Sequence, residues 1–235
     1  MNLLGTLEAN LALPRGPLAC IGWADLAADR VPMPVSWADA EADTSWAAGV
    51  LSGYGIGRGD HCLFVTAGRD YWPRQVEMAV TALGGFIGNI SPASYEDRRL
   101  SVYLRFLPPK LIIGLGKELA EKVVRNDELV TLLREVPHIL AVPAAAAILA
   151  GSGIAAKAVA AVGPALALPC AEGDGAHVDG SQFSVAQRPG SRSLFVTTTA
   201  DREFQLTGGQ AATQGSVLAG CGCGCGRPGP VLSLR

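Results

Sequence analysis

Between residues 36 and 114, short apolar runs alternate with longer segments in which apolar residues recur at helical spacing. The apolar runs predict buried strands, which cover residues 61–65, 86–90 and 110–114. The longer segments predict helices, which cover residues 36–53, 71–83 and 94–106. Strands that alternate with helices of about ten or more residues are typical of βαβ units, so the sequence predicts a mainly parallel sheet.

The segments on either side of this core have different patterns. Residues 1–35 predict a short apolar helix followed by a proline-rich link at residues 31–34, and residues 117–134 predict one amphipathic charged helix. A short strand is expected at residues 139–142. From His177 onwards apolar and polar residues alternate, which predicts a region of antiparallel strands.

The chain is therefore expected to adopt an α/β fold, in which a mainly parallel sheet with flanking helices precedes a small C-terminal β-rich region. We predict an α/β core at residues 1–168 and the β-rich region at residues 169–235. Because 49% of the residues are hydrophobic and 17% are charged, the composition excludes a disordered chain. The net charge of −2 argues against nucleic acid and anionic membranes as partners.

The apolar stretch at residues 140–168 is interpreted as buried strands and short helices rather than as a membrane span. It is rich in alanine, it is interrupted by proline and glycine, and it contains Lys157. The N-terminus has no basic flank and carries Glu8 inside its apolar run, so it is not expected to be a signal peptide. We therefore expect the protein in the cytoplasm.

Four short motifs follow one another in the first part of the chain. They are SWAD at 36–39, YGIGRGD at 54–60, the apolar run at 61–66 and ALGGFIGN at 82–89. In this order they resemble the N-terminal core of the acyl- and aryl-acid adenylate-forming ligases, which include acyl-CoA synthetases, luciferases and peptide adenylation domains. The resemblance implies that residues 1–168 contain the α/β core of that superfamily.

A second series of motifs follows in the C-terminal third. It consists of the segment from Cys170 to His177, SLFVTT at 193–198, LTGG at 206–209 and CGCGR at 223–227. The series resembles one branch of the superfamily, the phenylacetate–CoA ligases, which carry a cysteine-rich segment ending in G-x-H and a later C-P-C-G-R. The two series together span about two-thirds of the chain.

The elements with which these ligases hold ATP are not recognisable in this sequence. Nothing reproduces their phosphate loop of the type S-S-G-T-T-G-x-P-K, and the nearest cluster, GSG at 151–153, lacks its continuation. The Y-G-x-T-E element is not apparent, and the aspartate that binds ribose falls at Gly209, which has no side chain to accept a hydrogen bond. The chain stops at Arg235, where the lysine-bearing C-terminal domain would begin. We therefore expect no ATP binding and assign no catalytic residue.

Cysteine and histidine side chains form the sharpest candidate site. Cys170 and His177 flank a glycine-rich turn, and the single glycine between Cys223 and Cys225 lets both sulfurs point into one site. Three thiolates and one imidazole form a tetrahedral ligand set common in structural zinc sites, so we predict a structural zinc ion held by these four residues. Cys221 is an alternative ligand, and a set of free buried cysteines is the alternative to a metal site.

Two functions stay open at this point. In the first, the chain is a degenerate, non-catalytic homologue of an acid–CoA ligase. It would bind a small carboxylic acid or acyl ligand, or act beside a partner enzyme, a carrier protein or a second copy of itself. In the second, it is an active acid–CoA ligase or acyltransferase that is completed by a partner chain or uses an unrecognised site. His61 and His138 lack a visible acid or nucleophile partner, so a structural role is expected for both.

Overall fold

The computed structural model describes residues 16–66, 70–219 and 223–234. Its helices are α1 (Trp37–Ser52), α2 (Tyr71–Ala82), α3 (Asp97–Phe106), α4 (Lys117–Val123), α5 (Asp127–Arg134) and α6 (Pro143–Gly151), and a 3₁₀ turn at Ser94–Glu96 precedes α3. Its strands are β1 (Leu18–Asp25), β2 (Arg30–Ser36), β3 (His61–Val65), β4 (Phe86–Ile90), β5 (Leu111–Leu115), β6 (His138–Ala141), β7 (Lys157–Ala158), β8 (Ala160–Val162), β9 (Ala165–Pro169), β10 (Ala176–His177), β11 (Phe183–Gln187), β12 (Ser193–Thr198), β13 (Gly209–Leu218) and β14 (Val231–Leu234).

A five-stranded sheet in the order β4–β3–β5–β6–β7 forms the first part of the molecule. All of its neighbouring strands run parallel. Leu63 in β3 pairs with Gly88 on one side and with Ile112 on the other. The structure thus confirms the predicted α/β fold, because the three predicted strands share one parallel sheet.

The two faces of this sheet pack into separate hydrophobic cores. Phe64 and Ile113 point into a core that also contains residues of α1 and α2. Leu63 and Ile112, their neighbours along the strands, point into a second core formed with α3, α4, α5 and α6. Because successive side chains of a strand point to opposite faces, strands covered on both faces are apolar almost throughout, as residues 62–65 are in the sequence.

The start of α1 is determined locally by a capping box. The Ser36 side chain accepts a hydrogen bond from the backbone N–H of Asp39, and the Asp39 carboxylate accepts one from the backbone N–H of Ser36. The helix ends at Ser52 with Gly53 as its C-cap residue. Both ends agree with the helix predicted at residues 36–53, since the caps are encoded by neighbouring residues.

A seven-stranded antiparallel sheet in the order β11–β12–β13–β14–β10–β9–β8 forms the second part. In this sheet antiparallel pairing begins at Ala160 rather than at His177, where it was predicted to begin. The earlier start was not predictable from alternation, because β9 is buried on both faces and is apolar along its whole length. The predicted boundary at residue 168 lies within β9. The division of the chain into domains at that residue stays a prediction.

The predicted proline-rich link at residues 31–34 is wrong. These residues lie in β2, which pairs antiparallel with β1 in a two-stranded sheet. Pro32 and Pro34 are two residues apart, so their ring nitrogens face the same edge of the strand. A strand paired on one side only has an edge that needs no N–H donors, and there proline is tolerated.

Two helix predictions also need correction. Within the region of the helix predicted before residue 31, the described residues form β1, whereas residues 1–15 lie outside the described residues. Residues 117–134 form two helices, α4 and α5, instead of one. Asn126 separates them because its side-chain oxygen accepts hydrogen bonds from the backbone N–H groups of Glu128 and Leu129, which starts a new helix.

The apolar stretch at residues 140–168 folds as the end of β6, α6 and the strands β7, β8 and most of β9. Among the helices of the described residues, none has the length and apolar character needed to cross a membrane. The structure therefore agrees with the interpretation of this stretch as short buried elements.

Candidate functional site

The four predicted metal ligands come together in the structure. The ligand atoms of Cys170, His177, Cys223 and Cys225 all lie within 4.8 Å of one another. His177 is fully buried and Cys170 is 3% exposed, whereas Cys223 and Cys225 are half-buried. Cys221, the alternative ligand, lies outside the described residues.

The distances from His177 to the sulfurs of Cys223 and Cys225 fit a tetrahedral metal site. The Nε2 atom of His177 lies 3.5 Å from the sulfur of Cys223 and 3.6 Å from the sulfur of Cys225. Ligands at the usual zinc–sulfur and zinc–nitrogen distances would be about 3.5 Å apart at tetrahedral angles. The two sulfurs of Cys223 and Cys225 are 2.9 Å apart, well beyond the roughly 2.0 Å of a disulfide bond but short of the about 3.8 Å between two zinc-bound sulfurs, so they would have to move apart to bind an ion. This group of side chains could therefore hold a metal ion.

Strand pairing in the antiparallel sheet assembles the site. Cys170 directly follows β9 and His177 ends β10, and these strands pair so that His177 lies opposite Leu168. On its other side β10 pairs with β14, which follows the turn that carries Cys223 and Cys225. Gly229 allows this close approach, because its φ is +118° and an added Cβ would lie 2.7 Å from the carbonyl oxygen of Val178.

The surroundings of His177 keep its imidazole neutral. Burial, and secondarily the nearby charge of Arg227, lower the pKa of His177 below its usual value. A neutral imidazole is the form that binds a metal. The Nε2 atom faces the sulfurs, whereas the Nδ1 atom is buried and has no hydrogen-bond partner among the described residues.

Sequence reasoning missed Lys157 as a part of this site. The ammonium group of Lys157 donates to the carbonyl oxygens of Cys170, Ala171 and Gly173, at 2.9, 2.7 and 2.8 Å. All three N–H donors of the lysine are thereby used on the turn that carries a candidate metal ligand. Its charge inside the apolar stretch at residues 140–168 was the sequence signal that could have identified it.

A second candidate site is a pocket of about 320 Å³ at the carboxyl ends of β3 and β5. The pocket is lined by Val65 and Thr66 after β3, by Ile113 and Gly114 in β5, and by residues of α2, β8 and β9. Because β4 and β5 lie on opposite sides of β3, this is the point at which the order of the strands reverses. In open α/β sheets ligands bind at such switch points.

Most of the pocket wall is apolar, and the charged side chains that line it lie at its edge. Trp72, Val76 and Leu166 contribute to the apolar wall. Among the described lining residues, the charged side chains are Asp25, Arg30 and Asp70. The sequence analysis did not identify this pocket, because its walls come from segments far apart in the chain.

Residues 151–153 and Gly209 are the positions that the sequence analysis compared with nucleotide-binding elements of the ligases. Residues 151–153 lie at the carboxyl end of α6, where helix carbonyls point outwards, and the carbonyl oxygen of Ser152 accepts a hydrogen bond from Arg134. Phosphate binds at the opposite, amino end of helices. At Gly209 an added Cβ would lie 2.7 Å from the Leu206 side chain, so an aspartate there would require Leu206 to move.

The other two histidines have structural surroundings. His61 stacks on Phe86 and its Nδ1 atom lies 2.7 Å from the carbonyl oxygen of Leu107. His138 makes an edge contact with Tyr54 at a centroid distance of 4.8 Å. Burial is the main cause that lowers the pKa of both histidines, which is consistent with packing roles.

Comparison with known proteins identifies solved structures whose fold is similar to that of this chain. No protein-family model matches the sequence, and no curated protein matches it. Among solved structures, 2-hydroxyisobutyryl-CoA ligase in complex with 2-HIB-AMP and CoA matches with a TM-score of 0.62 at 14% sequence identity. The match covers 94% of this chain and 57% of that one. The chain has an acyl-CoA ligase-like fold.

Two further ligases support this acyl-CoA ligase-like fold. A malonyl-CoA ligase in a ternary product complex with methylmalonyl-CoA and AMP matches with a TM-score of 0.58 at 11% identity, over 95% of this chain and 54% of that one. E. coli MenE with bound OSB-AMS matches with a TM-score of 0.55 at 11% identity, over 95% of this chain and 49% of that one. The chain spans about half the length of these structures.

Proposed function

We propose that this chain is a non-catalytic accessory protein with the acyl-CoA ligase-like fold, which binds an acid or acyl group and carries a structural zinc ion. The observation that carries the proposal is the apolar pocket at the strand switch point. Apolar walls with a few polar groups at one end are typical of sites for small organic ligands.

The solved structures with this fold support an acyl group as the ligand. Their bound molecules include 2-HIB-AMP and CoA in one case and methylmalonyl-CoA with AMP in another. In the present chain the pocket has room and apolar surface for an acyl group, whereas residues 151–153 and Gly209 are unsuited to the nucleotide. We therefore assign the acyl group, and not the nucleotide, to this protein.

Zinc is the metal that best suits the Cys170, His177, Cys223 and Cys225 site. Three thiolates and one imidazole match the ligands that zinc prefers, and four protein ligands leave no position for water or substrate. Such a closed site stabilises the fold instead of performing chemistry. It would connect β9 and β10 with the turn before β14, all within the antiparallel sheet.

The setting that we propose is the cytoplasm, where disulfides are rare and zinc can stabilise a glycine-rich turn. There the chain would act beside a partner enzyme, a carrier protein or a second copy of itself. With 19 basic and 21 acidic residues it lacks the excess of positive charge with which proteins bind nucleic acid or anionic membranes.

Calorimetric titration of the full chain tests the proposal. The probes are hexanoate, phenylacetate, their amides and their N-acetylcysteamine thioesters, together with ATP and AMP. We expect at least one acyl compound to bind with a stoichiometry of about one, and ATP and AMP to give no binding heat.

Two matched variants locate the binding. Ala161 lines the pocket, so Ala161→Phe should weaken acyl binding by at least about tenfold, since it fills space that the ligand needs. Ala147 is exposed on α6 and does not line the pocket, so Ala147→Phe should leave binding unchanged. If no acyl compound binds, or if binding is insensitive to Ala161→Phe in a folded variant, the proposed function is wrong.

A further inference from the structure

We propose that the pocket at the switch point accepts the uncharged carbonyl end of an acyl derivative, such as an amide, ester or thioester, in preference to a free carboxylate. The inference rests on the proposed function, since it specifies which acyl compounds that pocket takes. It follows from the way in which the charged side chains at the pocket edge are already paired.

Arg30 is the cationic side chain among the described lining residues, and it is held on three sides. Its Nε atom lies 3.0 Å from a carboxylate oxygen of Asp25, and its Nη2 atom donates to Asp70 at 2.7 Å. Its guanidinium carbon also lies 5.5 Å from the centre of the Trp23 ring. The guanidinium therefore has a defined position at the pocket edge, although it is half exposed.

Asp70 pairs with Arg30 instead of capping the helix that it precedes. It occupies the N-cap position of α2, yet its side chain makes no capping hydrogen bond and instead accepts one from Arg30. Its carboxylate also lies at the positive end of α2, where it offsets the helix dipole. The amino end of α2 is therefore not an open site for a second anion.

The charges of the described lining residues sum to about −1, since Asp25 and Asp70 share the single guanidinium of Arg30. Asp29 adds a further carboxylate nearby, which accepts a hydrogen bond from the backbone N–H of Arg30 at 2.7 Å. A ligand carboxylate would bring another negative charge to this edge and would compete with two aspartates for one cation. Like charges at short distance disfavour such binding.

An uncharged carbonyl oxygen meets no such obstacle. A guanidinium has five N–H donors, and the contacts with Asp25 and Asp70 engage two of them. The remaining donors can bond to a carbonyl oxygen without breaking either ion pair, while the acyl chain contacts the apolar wall formed by residues such as Trp72 and Val76. The same geometry that repels a carboxylate thus suits an amide, ester or thioester carbonyl.

The test compares matched ligands on the full chain at pH 7 and low ionic strength. Hexanoate, hexanamide and S-hexanoyl-N-acetylcysteamine share an acyl chain and differ in the charge at its end. We expect both neutral compounds to bind at least about tenfold more tightly than hexanoate. Added salt should reduce this difference, because it screens the partly exposed charges.

A charge variant provides the second measurement. Asp25→Asn with Asp70→Asn frees the Arg30 guanidinium, so hexanoate affinity should rise at least about tenfold while hexanamide affinity changes less than about threefold. Asp127→Asn with Asp201→Asn removes the same net charge from residues that do not line the pocket and should change neither affinity.

The outcomes separate this inference from the proposed function. If hexanoate binds as tightly as hexanamide and Ala161→Phe still weakens both, the proposed function stands and the preference for uncharged acyl groups is wrong. If none of the hexanoyl and phenylacetyl compounds binds, the proposed function fails and the inference fails with it. If the charge variant does not fold, the comparison of hexanoate with the two neutral ligands on the unmodified chain still tests the preference for uncharged acyl groups.

Discussion

The ammonium nitrogen of Lys157 lies 2.9 Å from the carbonyl oxygen of Cys170, a candidate metal ligand at the start of a turn. Lys157 belongs to β7, at the edge of the parallel sheet, whereas Cys170 follows β9 of the antiparallel sheet. The contact therefore joins the two sheets at the candidate metal site. It also brings a positive charge near the three cysteine side chains of that site.

Lys157→Met is expected to weaken zinc binding by about 10–100-fold, as loss of a group that positions a metal ligand commonly does. The reason is that three carbonyl groups lose their donor and the turn with Cys170 is no longer held in place. Competition with a chromogenic chelator measures the affinity. Lys122→Met, at an exposed position of α4, is the control and should bind zinc like the unmodified chain. Equal zinc affinity in the two variants would contradict the positioning role of Lys157.

Cys223→Ser combined with Cys225→Ser should abolish metal binding. Protein purified without a histidine tag should contain about one equivalent of zinc by elemental analysis, and the variant should contain almost none. If the ion contributes at least about 2 kcal/mol to stability, the Tm of the variant should fall by at least about 4–8 °C. Cys20→Ser is the control, since Cys20 is not part of the cluster. Unchanged metal content and Tm in the double variant would show that these cysteines hold no metal.

The chain by itself should not adenylate carboxylic acids. Adenylation needs the phosphates of ATP to be held and neutralised, and removal of even one such donor commonly costs about 10²–10³ in rate. The expected result is no pyrophosphate release from ATP and Mg²⁺ with aliphatic or aromatic acids, with or without coenzyme A. An active acyl-CoA ligase assayed in parallel is the control. Sustained ATP-dependent turnover by the purified chain would favour the alternative, an active acid–CoA ligase.

Stability should decrease as the pH falls through the range just below 6.5. Burial holds the pKa of His61 below its usual value of 6.5, so the unfolded chain takes up a proton in this range while the folded chain does not. The stabilisation is fully present above pH 6.5 and is lost as the pH falls below it; His138 and His177 act in the same direction.

His61→Asn tests this pH dependence. Its unfolding free energy, measured by urea titration at several pH values and equal zinc content, should depend less steeply on pH than that of the unmodified chain. The difference in slope should be at most about 1.4 kcal/mol per pH unit, the limit for one proton. Identical slopes for the two proteins would mean that His61 titrates alike in the folded and unfolded states.

Arg202→Met should destabilise the fold by about 3–5 kcal/mol. Arg202 binds both carboxylate oxygens of Asp43, at 2.9 and 2.7 Å, and its Nε atom lies 3.6 Å from Asp39. All three side chains are buried, so the variant leaves two carboxylates without a cation. Arg188→Met changes an exposed arginine that lies over the Phe195 ring and should cost far less.

A double-mutant cycle measures the coupling free energy between Asp43 and Arg202. Adding Asp43→Asn to Arg202→Met should recover part of the lost stability, because it removes one uncompensated charge. Strictly additive effects of the two substitutions in urea unfolding would contradict a direct interaction between Asp43 and Arg202.

Local features of the sequence were sufficient to predict most of the parallel sheet and its helices. Three kinds of local feature act on neighbouring residues: the capping box at Ser36 and Asp39, the apolar run at 61–65 and the breaks at Gly53 and Gly84. Their effect on secondary structure can therefore be predicted without knowing which distant segments they contact. Where a local break was overlooked, as at Asn126, the prediction joined two helices into one. The proximity of Cys223 and Cys225 was also predictable, since the Cys-Gly-Cys spacing limits where two sulfurs can point. That they bind a metal stays a prediction.

Only the tertiary structure decided which of these elements meet. The order β4–β3–β5 creates the pocket at the switch point, and the pairing of β10 with both β9 and β14 brings His177 to three sulfurs. Arg202 and Asp43 are 159 residues apart in sequence, and Lys157 reaches a turn on another sheet. Periodicity reports which side of a segment is buried, but it does not specify what that side is buried against. That choice depends on how all the segments pack together, and it determines both candidate sites of this protein.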